Sequence, residues 1–195
     1  MDSLELTLHQ IYADPKKILT DDKKQIAFIG RSNVGKSSLI NLISKQKKVA
    51  LVSSTPGKTK TINFFNANGD FYLVDLPGYG FAKSSKTQRD EWERRTLQYF
   101  SLFQKNLVLF LLIDGRHPIQ TIDKEFIQTL IELDFPRFVV LTKTDKSKQN
   151  EIAVSKNSIK EFLSHFNLSY PIIETSAETG KGRTEILKTI KSVTA

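Results

Sequence analysis

The sequence predicts an α/β fold built on a mostly parallel sheet of about six strands, with helices on both faces. Three observations carry this. Strand-length apolar runs alternate with segments of helical period along the 195 residues. The run QIAFIG at 25–30 is apolar almost throughout, as a strand buried within such a sheet requires. One pair of runs, in TINFFNANGDFYLVD, is joined by Asn68-Gly69, a tight-hairpin dipeptide, which supplies the one antiparallel strand.

Taken in order, residues 1–22 show no clear pattern and are assigned to an N-terminal extension, with one domain over 23–195. A strand at 25–30 leads to a helix from about Lys36 to Lys45, whose Leu39, Ile40 and Ile43 share a face. Residues 46–60 have no period and read as a loop, followed by the hairpin. Residues 77–88, PGYGFAKSSKTQ, form a second glycine- and serine-rich loop, and a helix follows from about Arg89 to Gln104. LVLFLLI at 107–113 is a strand. Phe126, Ile127, Leu130 and Ile131 repeat at helical spacing, RFVVLTK at 137–143 is a strand, and a helix spans roughly 151–166. YPIIETS gives a last strand, and Ile186, Leu187, Ile190 and Val193 form the face of a C-terminal helix.

A hydrophobic fraction of 39% with 26% charged residues is ordinary for a globular chain with a real core. The absence of cysteine excludes disulfides and a cysteine-based zinc site and favours a reducing compartment. The N-terminus carries acidic residues early and no apolar stretch of signal-peptide length, and 107–113 is too short to span a bilayer, so a soluble cytoplasmic protein is expected. The net charge of +8 favours a polyanion such as RNA or an acidic membrane, or marks a merely lysine-rich surface. Lys45, Lys47, Lys48, Lys58 and Lys60, with Lys83 and Lys86 further on, tilt the balance toward an anionic partner.

The stretch AFIGRSNVGKSSLI holds G-x-x-x-x-G-K-S from Gly30 to Ser37. Between a strand and a helix, this pattern turns backbone N–H groups of Gly30, Arg31, Ser32, Asn33, Val34 and Gly35 toward phosphate oxygens, continuing through Ser38 at the helix start. Lys36 would bridge the outer phosphates, and the Ser37 hydroxyl would ligate Mg²⁺. In FYLVDLPG, an apolar strand delivers Asp75 beside that loop to hold Mg²⁺ through water. Leu76 and Pro77 then lead to Gly78, whose N–H would meet the γ-phosphate. In TPGKTKT, over Gly57, Lys58, Thr59, Lys60 and Thr61, a threonine hydroxyl completes the Mg²⁺ shell only when a γ-phosphate is present. Thr59 is the first choice and Thr61 the second. Lys36, Thr59 and Gly78 are thus the candidate catalytic residues, and Ser37, Thr59 and Asp75 the candidate metal ligands.

The base is read further on. In VVLTKTD, over Thr142, Lys143, Thr144 and Asp145, the Asp145 carboxylate can accept from guanine N1–H and its 2-amino group, donors that adenine does not offer in that arrangement. The Lys143 stem can pack along the base plane. In ETSAETG, with Thr175 and Ser176 forming the turn, the Ala177 N–H can donate to guanine O6.

Together GRSNVGKSS, TPGKTKTINFF, DLPGYGFAK with Trp92 downstream, IDGRHP and TKTD resemble the EngB/YsxC (YihA) family of bacterial GTPases, of the translation-factor class, over about residues 25–180. The resemblance implies a three-layer P-loop NTPase fold of Ras-like type. It also implies Mg²⁺-dependent binding of GTP and GDP with GTP hydrolysis, a role in assembly of the large ribosomal subunit through the particle or its rRNA, and a link to cell division and septation. One departure is Thr142, where asparagine is commoner before Lys-x-Asp.

Tyr79 follows D-x-x-G where many GTPases keep a water-orienting glutamine, so slow intrinsic turnover, raised by a partner or an ion, is expected. Asn33 is either a K⁺ ligand, as in related GTPases with asparagine at this place, or a residue that stabilises the turn. Arg31 is expected to face solvent or RNA. Arg89, Arg94 and Arg95 decorate a helix, and Trp92 is read as packing for that helix rather than as a platform for RNA bases. His9, His117 and His165 show no catalytic partner. A small-molecule P-loop kinase has no need of Asp145 or the Ser176-Ala177 turn. A GTP-binding scaffold at the division site is the alternative to a ribosomal switch. The chain is expected to be a monomer with no membrane span.

Overall fold

A computed structural model describes residues 3–18, 21–46, 49, 61–80 and 85–195. The strands are β1 (Leu6–Tyr12), β2 (Gln25–Gly30), β3 (Ile62–Ala67), β4 (Phe71–Asp75), β5 (Leu107–Asp114), β6 (Arg137–Thr142) and β7 (Ile172–Glu174). The helices are α1 (Lys36–Ser44), α2 (Lys86–Phe103), α3 (Thr121–Thr129), α4 (Gln149–Ser164) and α5 (Arg183–Thr194), with single 3₁₀ turns at Pro15–Lys17 and Thr144–Lys146.

The strands form one sheet in the order β1-β3-β4-β2-β5-β6-β7. The pairings β4–β2, β2–β5, β5–β6 and β6–β7 are parallel, and β3 runs antiparallel to both β1 and β4. The one antiparallel strand is therefore as expected, but the sheet has seven strands rather than about six. The added strand is β1, drawn from residues that carry no clear pattern. Only its two end residues are buried, and a bulge between Leu8 and Gln10 interrupts its register with β3, so no period-2 signal exists to be read.

Alternation along the central strands divides the core. Ala27, Ile29, Leu109, Leu111, Val139 and Leu141 face one side, where Tyr99 and Phe100 of α2, Phe126 and Ile127 of α3 and Ile159 of α4 cover them. Ile26, Phe28, Val108, Phe110 and Val140 face the other, against Leu39, Ile40 and Ile43 of α1 and Ile186, Leu187 and Ile190 of α5. Two helices on one face and three on the other make the three layers, and each fully buried large side chain contributes about 1.5–3 kcal/mol.

Helix ends differ from expectation where local chemistry sets them. α2 begins at Lys86 rather than near Arg89 because Ser85 and Gln88 close a capping box, each backbone N–H donating to the other's side-chain oxygen at 3.3 Å. α3 ends at Thr129, with Leu130 still in the core and Ile131 beyond the helix. The hairpin turn is as read: Asn68 and Gly69 take φ of 54° and 85°, and the Asp70 N–H donates to the Ala67 carbonyl at 3.0 Å. Parallel β2, β4, β5, β6 and β7 end on the same edge, so the loops after Gly30, Asp75, Asp114, Thr142 and Glu174 gather there, where open α/β sheets bind ligands.

Candidate functional site

The phosphate loop runs from the end of β2 into α1. The Val34 N–H closes a turn onto the Arg31 carbonyl at 3.1 Å, and Asn33 sits in the left-handed region at φ 63°. Gly35, at φ 111°, caps α1, a backbone conformation that side chains rarely adopt. The first N–H groups of α1, at Lys36, Ser37 and Ser38, have no earlier helical turn to donate to, and the positive end of the helix lies with them. The Ser32 hydroxyl is buried and has no hydrogen-bond partner among the described residues. Lys36 Nζ pairs with Asp75 Oδ1, and both side chains are largely buried. Unspent N–H donors, an unpartnered hydroxyl, a lysine and one carboxylate together fit an anion of phosphate type with a divalent cation beside it. Lys36 and Asp75, expected to serve phosphate and Mg²⁺ separately, thus meet directly.

The D-x-x-G segment is laced to that loop. The Leu76 N–H donates to the Phe28 carbonyl at 3.1 Å. Beyond Pro77, Tyr79 N–H donates to Gly30 at 3.2 Å and Ser32 N–H donates to Tyr79 at 3.1 Å, a short parallel bridge. Gly78 is pressed so close that a Cβ on it would stand 2.7 Å from the Gly30 carbonyl and 3.2 Å from the Ser32 nitrogen. Only glycine permits this approach.

Tyr79 does not occupy the space of a water-orienting side chain. Its ring is buried and stacked on Phe126, centroids 4.4 Å apart, and its hydroxyl donates to Asp123 Oδ1 at 2.8 Å. Burial, and then the Asp123 carboxylate, hold the phenol well above its usual pKa, so it stays a neutral donor. Trp92 packs against Tyr79 and Phe126 and donates to the Pro77 carbonyl at 3.2 Å, which makes it packing, as expected. Arg31 corrects an expectation. Its side chain does not face solvent or RNA: it lies over α3, with Nε 3.3 Å from Asp123 Oδ1 and a second nitrogen donating to Gln120.

At the base end, Thr142 Oγ1 donates to the Val34 carbonyl at 2.7 Å, so threonine at this departure from the commoner asparagine still ties β6 to the phosphate loop. Lys143, at φ 59°, sends Nζ to the Asn33 carbonyl at 2.7 Å and to Asp114 Oδ2 at 3.0 Å. Thr144 N–H and Oγ1 both donate to the Thr175 carbonyl, and Thr175 N–H and Oγ1 both donate to that of Leu141. The Ser176 hydroxyl accepts from Glu178 and Thr179 N–H groups, closing the turn that displays Ala177. Glu174, below that turn, is held by Lys156 at 2.8 Å and Lys181 at 2.7 Å, which lower its pKa. A cleft of about 170 Å³ opens between Gly35, Leu39, Thr142, Lys143, Asp145 and Ala177, with Asp145 exposed at its wall. The structure therefore gathers Gly35, Ser38, Thr142, Lys143, Asp145, Thr175 and Ala177 around one cleft whose other end is the phosphate loop.

Gly57, Lys58, Thr59 and Lys60 lie outside the described residues. Thr61 is described, and its hydroxyl is hydrogen-bonded to Asn63 Oδ1 at 3.1 Å.

Three residues at the site carry no role in the sequence reading. Asp114, at the end of β5, accepts from Arg116 N, Nε and a terminal nitrogen as well as from Lys143. Burial raises such a carboxyl, but these bonds outweigh it and hold Asp114 well below the usual carboxylate range. IDGRHP contains Asp114, but nothing local reveals that Lys143 is its partner. Gln120 and Asp123 of the α3 start receive Arg31 and Tyr79. The signal in sequence, an acid in a first helical turn, is too common to single out.

A model of the family described as 50S ribosome-binding GTPase matches residues 25–143. A relative named Probable GTP-binding protein EngB, from Thermotoga sp. (strain RQ2), is 46% identical over 88% of this chain and 87% of its own length. Another of that name, from Prosthecochloris aestuarii, is 40% identical over 96% of each chain. Among solved structures, a probable GTP-binding protein EngB superposes with a TM-score of 0.70 at 30% identity, covering 87% of this chain and 98% of that one. Era in complex with MgGDPNP and nucleotides 1506–1542 of 16S ribosomal RNA gives a TM-score of 0.66 at 26% identity, over 86% of this chain and 55% of that one.

Proposed function

The chain belongs to the EngB family of GTP-binding proteins, P-loop GTPases that hydrolyse GTP, and from that premise we propose that it is a GTP-gated switch in assembly of the large ribosomal subunit. The observation that carries the proposal is the meeting of Lys36, Asp75 and Gly78 at the phosphate loop, where the outer phosphates of a nucleotide would lie.

In this reading the triphosphate lies along Gly30 to Ser38, accepting from the N–H groups of Lys36, Ser37 and Ser38 at the start of α1, whereas those of Ser32 and Val34, expected to face phosphate, are taken by the Tyr79 and Arg31 carbonyls. Lys36 would exchange its Asp75 partner for phosphate oxygens, and Asp75, Ser37 and, when a γ-phosphate is present, Thr59 would be the residues that hold Mg²⁺. Bound there, Mg²⁺ would supply charge neutralisation. Guanine enters the cleft with Asp145 accepting from its N1–H and 2-amino group and the Ala177 N–H donating to O6. Leu76 and Pro77 fix where Gly78 lies, and Thr144, Thr175 and Ser176 hold the base turn. Hydrolysis is water attack in line with the leaving diphosphate, promoted by position and charge. Because Tyr79 is committed to the core, no side chain at that position orients the water, and intrinsic turnover is slow until a partner, or K⁺ at Asn33, supplies what is missing. Exchange of Na⁺ for K⁺ with no change in rate removes the K⁺ role.

The partner proposal draws on three supports: the family description, the rRNA carried by Era in the superposed complex, and a net charge of +8. No described helix is long and apolar enough to cross a membrane. We place the protein in the cytoplasm as a monomer, with a GTPase unit that takes in β1, paired with β3 in the same sheet, as well as residues 23–195, and its effect on division and septation follows from ribosome supply. Co-sedimentation with ribosomal subunits tests this, using a non-hydrolysable GTP analogue or GDP at two salt concentrations. Binding to the large subunit only with the GTP analogue supports the switch. Equal, salt-sensitive binding with both nucleotides overturns it and favours a GTP-binding scaffold at the division site.

A further inference from the structure

Asp123 is the most buried charged side chain with no place in the mechanism above, at 0% exposure. It sits in the first turn of α3, and two residues reach it from two different loops. Tyr79, the residue after Gly78, donates its hydroxyl to Oδ1 at 2.8 Å. Arg31, the residue before Ser32, brings Nε to 3.3 Å from the same oxygen and bonds Gln120 one turn earlier. The backbones of these residues already pair as the bridge that holds Gly78 on the phosphate loop. One carboxylate therefore grips both sides of that bridge by their side chains. Gly80 adds a third point of contact, packed so closely on α3 that a Cβ there would lie 2.6 Å from Ile122 Cδ1.

We propose that Asp123 is a positioning residue for GTP hydrolysis: through Tyr79 and Arg31 it sets where the Gly78 N–H stands relative to the γ-phosphate, and so links that phosphate to α3. The proposal rests on the assignment of Gly78 to the γ-phosphate. A core role alone does not account for the arrangement. A buried carboxylate is costly, and an apolar residue would fill the same space beside Phe126 without needing partners. Nor is the contact fully bonded: among the described residues the buried Asp123 Oδ2 and Arg31 Nε each lack a hydrogen-bond partner, which leaves one acceptor and one donor in the same contact. Through Tyr79 and Arg31 the network ties both segments of the bridge to α3, so a displacement of either segment on γ-phosphate binding is felt at Asp123.

The test uses the full chain and three variants, Tyr79→Phe, Asp123→Asn and the two combined. Affinities for GDP and for the non-hydrolysable analogue GppNHp are measured with Mg²⁺, together with kcat and KM for GTP and the melting temperature. Each single variant is expected to leave GDP affinity within about twofold, to weaken GppNHp roughly tenfold and to lower kcat, as loss of a charge-assisted hydrogen bond predicts. The double variant should lose no more than the worse single one, because both remove the same contact. Equal weakening of both nucleotides, unchanged GppNHp affinity, or additive losses overturn the proposal, as does a lower melting temperature with an unchanged ratio of the two affinities. If Asp123→Asn does not fold, Tyr79→Phe, which removes only a hydroxyl, decides the matter alone. Gly78→Ala separates the two levels: if it leaves kcat intact, the assignment of Gly78 itself fails.

Discussion

Lys143 donates to the Asn33 carbonyl across 2.7 Å, and this contact ties the base end of the cleft to its phosphate end. The same ammonium lies 3.0 Å from Asp114, so one side chain from the end of β6 holds the phosphate loop on one side and the end of β5 on the other. Lys143→Ala removes both ties and the stem that lines the cleft. Affinity for GDP and for GppNHp is expected to fall together, roughly 10- to 100-fold, the worth of about 1.5–3 kcal/mol for a hydrogen bond to a charged group. Titration with fluorescent nucleotides checks this, and a loss confined to GppNHp contradicts it.

Asp145 stands exposed at the wall of the base cleft as an acceptor only. Asp145→Asn replaces one acceptor with a donor, which suits a base carrying a carbonyl where guanine has its 2-amino group. GTP affinity should drop roughly 10²- to 10⁴-fold, the equivalent of two charge-assisted bonds, and xanthosine triphosphate should become the better ligand. Competition between the two nucleotides measures the switch. Retained preference for GTP places the base elsewhere.

Acid should act on the fold through three carboxylates with opposite signs. Asp114 and Glu174 titrate below their usual range in the folded protein, so the stability they contribute is full above the unfolded carboxylate pKa of about 4 and is lost as pH falls below it. Asp123 works the other way. Burial raises its carboxyl against the pull of Tyr79 and Arg31, so its contribution declines as pH climbs through about 4 toward its folded value. Urea midpoints measured from pH 3 to 7 should fall toward the acid end. In Asp114→Asn the slope should flatten below pH 4, and an unchanged slope there removes Asp114 as its source.

Phe110 lies stacked between Phe28 and Phe138, with ring centroids 5.0 and 5.1 Å away. All three face the α1 and α5 side of the sheet. Phe110→Ala is expected to cost about 3–5 kcal/mol in unfolding free energy, because the rings on either side cannot collapse into the space. A lower urea midpoint with an unchanged denaturant slope is the expected result.

What sequence could reveal here followed the range of the interactions. QIAFIG, LVLFLLI and RFVVLTK announce their strands because burial on both faces writes itself into consecutive residues. Gly30 to Ser37 and Asp75 to Gly78 are legible because each forms its geometry within a few residues. The links between such segments are not. Thr142 to Val34, Lys143 to Asn33 and Arg31 to Asp123 each join loops that only the sheet order brings together. Arg31 misled for this reason: beside a phosphate loop an arginine suggests an anion, and the carboxylate that claims it lies far along the chain.

The place of β1 at the outer margin of the sheet, paired through β3 alone, also sets an order in time. Leu6 to Tyr12 precede β3 in the chain, so β1 cannot pair until the segment ending at Ala67 has been added. A strand held by a single neighbour is also the easier one to release, so amide hydrogens along Leu6–Tyr12 are expected to exchange with solvent sooner than those of the central strands.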